Sequence, residues 1–145
     1  MTPGIYNLGT RVITAALTDQ VITEGSSTGG TAQSYIDRLD GMSSVTLFVE
    51  FDWGSGGTSC AVIVETSLNA GDDWVEIAEF DFTTADSKKT ANISATAAAA
   101  VASVAALGSE GKRDGVLGDR LRARVTSVGT YAGSTTVSVR AAVRQ

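Results

Sequence analysis

The sequence contains no histidine, one cysteine and one proline in 145 residues. Without histidine there is no Ser/His or Cys/His nucleophilic system, no His-ligated zinc and no ordinary general base near neutral pH. The lone thiol, Cys60, excludes an intrachain disulfide and a cysteine-built zinc site. It stands beside Ala61, Val62, Ile63 and Val64, which marks it as a small core residue and fits synthesis in a reducing cytoplasm. Aromatic residues make up only 6 %, so a core must be built from Val, Leu, Ile and Ala. No run approaches the roughly 18 consecutive apolar residues of a membrane span. The start, MTPGIYNLGTR, lacks the cationic head and apolar stretch of a signal peptide. Neither GxxxxGK[ST] nor GxGxxG opening a helix occurs, so nucleotide binding has no motif to stand on. No cofactor or metal is expected, and no membrane partner.

Hydrophobic residues are plentiful at 43 %, enough for one core across residues 1–145 as a single domain. They recur with period two, the mark of strands. Val45, Leu47, Val49, Phe51 and Trp53 fall on one side, with Thr46, Glu50 and Asp52 on the other. Phe48 breaks the polar side and implies that something covers it. Leu121, Ala123 and Val125 alternate with Arg120, Arg122 and Arg124, and Val137, Val139, Ala141 and Val143 with Ser138, Arg140 and Arg144. A helix would carry Arg122 into the core.

Short Gly-containing loops at Gly54–Gly57, Asn69–Asp73 and Gly129–Gly133 separate such runs and read as hairpins. Further strands are expected at Arg11–Leu17, Tyr35–Leu39 and Ser87–Ser94. The spacing predicts an all-β antiparallel sandwich, jelly-roll-like, of about seven to nine strands. Residues 1–10 and 24–34 are expected to be a flexible arm and loop. The alanine-rich run 95–107 is expected to be a short helix stopped by Gly108, or else an extended segment packed on another subunit.

The net charge of −5 argues against nucleic acid as the main partner. Its distribution is uneven: up to Asp86 there are 13 acidic residues against Arg11 and Arg38, and from Ser87 onward nine basic against three acidic. Either the two halves interleave and neutralise each other across strands, or they form opposite faces that meet between subunits. The candidate interface residues are Arg120, Arg122, Arg124, Arg140 and Arg144, with Glu65, Glu76, Glu79 and Asp81. Carboxylate pairs run glycoside hydrolysis, and Glu76 beside Trp74 is the one place for it. Alternating acids on a strand are more simply a solvated face, and no enzyme is expected. Asn69–Asp73 lacks the DxDxDG spacing of a calcium loop, and the sequon Asn92-Ile93-Ser94 has no secretion signal with it. Trp53, Trp74 and Tyr131, in or beside loops, form a candidate sugar platform.

The segments SVTLFVEFDW, VIVETSLNAGDDWVEIAEFDF and GDRLRARVTSVGTYAGSTTVSVRAAV resemble β-sandwich accessory proteins of tailed bacteriophage virions. The resemblance runs from Val45 to Arg144, about two-thirds of the chain, with SLNAGDDW similar to a recurring strand-and-hairpin pattern of such proteins. It implies a structural protein made in the host cytoplasm and carried in the virion. There it would decorate or cement a capsid by binding the major capsid protein and neighbouring copies of itself, with a trimer as the usual arrangement. The alternative it implies is a tail or fibre adsorption module for host carbohydrate.

Overall fold

The computed structural model describes residues 2–26 and 32–145. Among these the strands are β1 (Gly4–Val12), β2 (Gln20–Val21), β3 (Gly25–Ser26), β4 (Ala32–Gln33), β5 (Ser44–Asp52), β6 (Ser55–Gly56), β7 (Ser59–Ser67), β8 (Val75–Phe82), β9 (Ser87–Ser94), β10 (Gly111–Lys112), β11 (Arg120–Val128), β12 (Tyr131–Ala132) and β13 (Thr136–Arg144). One sheet has the order β1-β13-β5-β9 and the other β10-β8-β7-β11-β2, all antiparallel. With β3, β4, β6, β10 and β12 set aside, the remaining strands counted along the chain fall in the orders 1-8-3-6 and 5-4-7-2. That is a jelly roll.

The period-two runs make the layers. Val45, Leu47, Val49 and Phe51 of β5 and Val137, Val139 and Ala141 of β13 are wholly buried against Val62, Val64, Ala123 and Val125 of the facing sheet. With few aromatics, one cluster serves as the anchor: Phe51 stacks on Phe82 at 5.0 Å and meets Tyr131 edge-on at 5.7 Å. Cys60 is buried in this core, as its neighbours in the sequence imply.

Of the three Gly-containing loops, only Asn69–Asp73 is a hairpin, joining the paired β7 and β8. Gly54–Gly57 carries the chain from β5 in one sheet to β7 in the other, and Gly129–Gly133 carries it from β11 to β13 in the same way. The two arches then pair with each other through β6 and β12. Hairpin and arch demand the same turn residues, and the choice is made by which sheet must bury the next strand. Gly57, at φ +76°, is pressed against the Tyr131 ring, where a Cβ would lie 2.2 Å from Cε1. Trp53 leaves the buried row of β5 because the chain turns at Gly54. Its indole is exposed and donates Nε1–H to the Gly56 carbonyl at 2.9 Å.

Four other expectations are corrected. The amino-terminal arm is a full strand: β1 pairs with β13 along its length, with a bulge between Asn7 and Gly9 that hides its periodicity. It lies earlier than Arg11–Leu17. Tyr35–Leu39 makes a single bridge, Ile36 to Leu121, where a strand was expected. In the 24–34 loop, β3 and β4 pair with each other, and residues 27–31 lie outside the described ones. Residues 95–107 form no helix. The run is anchored at one end by Ala95 N–H on the Ser43 carbonyl, and then follows the surface. Alanine favours a helix in isolation, but a short helix needs an apolar face to bury, and methyl groups supply little. Among the described residues, no helix is long and apolar enough to cross a membrane.

Candidate functional site

The two outer faces of the sandwich are opposites. On the five-stranded sheet, β11 presents Arg120, Arg122 and Arg124, β7 presents Glu65, and β8 presents Glu76, Glu79 and Asp81. Arg122 Nε lies 2.8 Å and Arg124 Nε 2.7 Å from the same oxygen, Glu65 Oε1. Arg124 also reaches Glu76 Oε2 at 2.9 Å and the Asp19 carboxylate. Glu65 is 4 % exposed, so this is an ion cluster largely sheltered from water. Burial works against the Arg124 charge, but the hydrogen bond and charge of Glu65, with Asp19 and Glu76, win and raise its pKa. These acids and bases come from the two oppositely charged halves of the sequence, which therefore interleave here within one chain.

Aromatic rings cap the same face. The Arg122 guanidinium lies 4.2 Å from the Trp74 ring centre and Arg120 4.8 Å from that of Tyr35, while the two rings are 5.9 Å apart. Arg120 also donates to the Ala70 carbonyl at 2.7 Å, which ties β11 to the β7–β8 hairpin. The loop before β10 crosses this surface, with Leu107 N–H on Glu76 Oε1 at 3.0 Å.

Glu79 and Asp81 stand apart from the arginines, toward β10. Glu110 accepts from Asp81 N–H at 2.8 Å and from Lys89 Nζ at 2.5 Å, so one loop carboxylate clasps the edges of both sheets. Lys89 and backbone hydrogen bonding hold the Glu110 carboxyl below its ordinary range. Among the described residues Glu79 has no such cation. Burial, a hydrogen bond to Asp81 and the charges of Asp81, Glu76 and Glu110 push it up to about 7. Neither Lys89 nor Glu110 is marked by periodicity; their pairing follows only from the position of the β10 loop.

Arg140 and Arg144 lie on the other sheet, so the five arginines do not form one surface. Arg140 donates to Asn7 Oδ1 at 2.7 Å and Arg144 to Thr46 Oγ1 at 3.0 Å. The register lays out this face in rows: Ile5–Ala142–Thr46–Asn92, then Asn7–Arg140–Phe48–Thr90, then Thr10–Ser138–Glu50–Lys88. Half of these twelve positions carry short polar side chains, and Arg140, Glu50 and Lys88 carry the charge. Ile5 is 77 % and Phe48 37 % exposed, with Val12 exposed at the next row. Ile5 and Val12 escape the sequence reading because the bulge in β1 conceals their side of the strand.

The three aromatics proposed as a sugar platform do not converge. Tyr131 is buried in the core, its hydroxyl donating to the Thr83 carbonyl at 2.7 Å. Trp53 lies at the arch end of the sandwich, whereas Trp74 follows the β7–β8 hairpin at the far end of the nine-residue β7. About 25 Å of strand separates them.

Comparison with protein families, with characterised proteins and with solved structures finds no match to this chain.

Proposed function

We propose that this chain is a non-enzymatic virion structural protein that decorates or cements a phage capsid, docking through the open face of the β1-β13-β5-β9 sheet. The observation that carries this reading is the contrast between a face of ion-paired side chains and a face that exposes apolar ones. On the arginine–carboxylate face Arg122 and Arg124 are paired with carboxylates of their own chain, while the opposite face, where Lys88 pairs with Glu50, leaves Ile5 largely and Phe48 partly exposed. Exposed aromatic and aliphatic anchors set among short polar groups suit burial against another protein. The sequence resemblance supplies the partner class, the major capsid protein. A shell offers the same site many times, so a contact of modest affinity suffices for full occupancy by repeated copies.

Co-sedimentation with heads purified from the virus that encodes the chain tests the reading. Saturable binding that weakens in Phe48→Asp supports it, and the absence of any protein in the head pellet contradicts it.

A further inference from the structure

An apolar cavity of about 270 Å³ lies between the β7–β8 hairpin and the uncharged strip of residues 95–108. Leu68 and Val75 line it from the hairpin, Val104 from the strip and Val116 from the segment after β10. Leu68 and Val104 are 64 % and 67 % exposed, so no side chain of the described residues fills the space between them. The strip sits close over the segment after β10: a Cβ on Gly115, at φ +87°, would lie 2.8 Å from that of Ala99. Yet between Ala97 and Ala106 it makes one hydrogen bond among the described residues, from Arg113 Nη2 to the Ala105 carbonyl at 2.9 Å. This wall can lift without breaking a ladder.

The two charged residues of the lining, Arg113 and Asp114, are not equivalent. Asp114 accepts from Ser94 N–H at 2.9 Å and pairs with Lys112 Nζ at 2.9 Å, and these partners hold its carboxyl below its ordinary range. Arg113 makes no ion pair, although every Asp and Glu of the sequence lies among the described residues. An apolar hole beside a cation without a counter-ion selects an amphiphile with an anionic head. A sugar would need a polar lining, and an alkyl cation would be repelled by Arg113. A planar carboxylate matches the guanidinium fork. The volume sets the tail: a dry cavity of roughly 150 Å³ takes benzene, so this one accepts roughly eight to ten carbons.

We infer that this cavity binds a medium-chain aliphatic carboxylate, its tail among Leu68, Val75, Val104 and Val116 and its head on Arg113. The site is separate from the open β1-β13-β5-β9 sheet and goes beyond the proposed docking, so each stands or falls without the other.

Isothermal titration calorimetry of the intact chain at neutral pH, with hexanoate, octanoate, decanoate and tetradecanoate, tests it. Affinity should rise about fourfold per methylene up to decanoate and then level off. Decanol and decylammonium carry the same tail and should bind at least about tenfold more weakly. Arg113→Gln should erase the preference for decanoate over decanol, and Arg113→Lys should keep part of it. Ala100→Trp, at an exposed position on the lining, should fill the cavity and abolish binding while circular dichroism shows an unchanged fold. Phe48→Asp, on the other sheet, should bind decanoate as the parent does. The inference is overturned by no saturable decanoate binding below roughly 1 mM, by decanol binding equally well, or by an unaltered Arg113→Gln. Affinity that keeps climbing to tetradecanoate, or that falls in Phe48→Asp, also overturns it, since either means adsorption to exposed apolar surface.

Discussion

Arg124 and Glu65 are joined on the diagonal. In the β7–β11 register Glu65 faces Arg122 and Arg124 faces Ile63, yet Arg124 Nε lies 2.7 Å from Glu65 Oε1, slightly nearer than the directly opposed Arg122. One sheltered carboxylate therefore balances two guanidiniums, and Arg124 passes the connection on to Glu76 on the third strand. Removing Glu65 leaves both cations poorly solvated. Glu65→Ala should cost about 3 kcal/mol of unfolding free energy, measured by urea denaturation. An effect as small as that of an exposed ion pair would mean that water already screens the cluster.

Glu79 makes stability depend on pH in a particular direction. Its folded pKa of about 7 lies above its ordinary 4.5, so the folded state holds the proton more tightly. This stabilisation is complete below about 4.5 and is lost as pH rises through about 7. Glu110 and Asp114, with lowered pKa values, act in the other window and lose their contribution only in stronger acid. Thermal unfolding between pH 4.5 and 8 should therefore show a falling melting temperature that Glu79→Gln flattens. An unchanged slope in that variant would assign the dependence to another group.

Gly57 and Tyr131 hold the arches together at close range. Gly57→Ala must place a methyl group into the Tyr131 ring at a φ of +76° that alanine resists, at a cost of about 2–3 kcal/mol. Tyr131→Phe removes only the hydrogen bond to the Thr83 carbonyl and should cost about 1 kcal/mol. Denaturant unfolding of both variants checks the order. Equal losses would contradict the packing argument.

Cys60 should be silent in the native protein. Burial first, and then the nearby Asp81 charge, push its thiol up to about 12. A disulfide reagent at neutral pH should label it only as fast as the protein unfolds. Rapid native labelling would show that the core opens locally.

Much of this architecture is written in the sequence. The alternating runs of β5, β11 and β13 identify their buried residues one by one, because a strand flips its side chains at every step. SLNAGDDW marks the β7–β8 hairpin. What cannot be read there depends on neighbours distant in sequence. Gly54–Gly57 looks the same whether the next strand stays in its sheet or leaves it. The bulge at Leu8 disguises β1 as an arm, and the run at 95–107 has helical composition without a helical face to bury. The candidate surface was half legible. The Arg120–Arg122–Arg124 stripe and the lone Phe48 were both visible as breaks in pattern. That Arg122 and Arg124 are paired in place while Phe48 stays partly exposed emerges only once the strands of both sheets lie side by side.

The most direct test of the docking account is the number of copies bound per purified head, measured by quantitative mass spectrometry of pelleted particles with the parent chain and with Phe48→Asp. The account predicts hundreds of parent copies per head, as a shell lattice requires, and a severe loss with Phe48→Asp. Six to twelve copies, the number expected of a neck or tail ring, or equal occupancy by the two proteins, would contradict it.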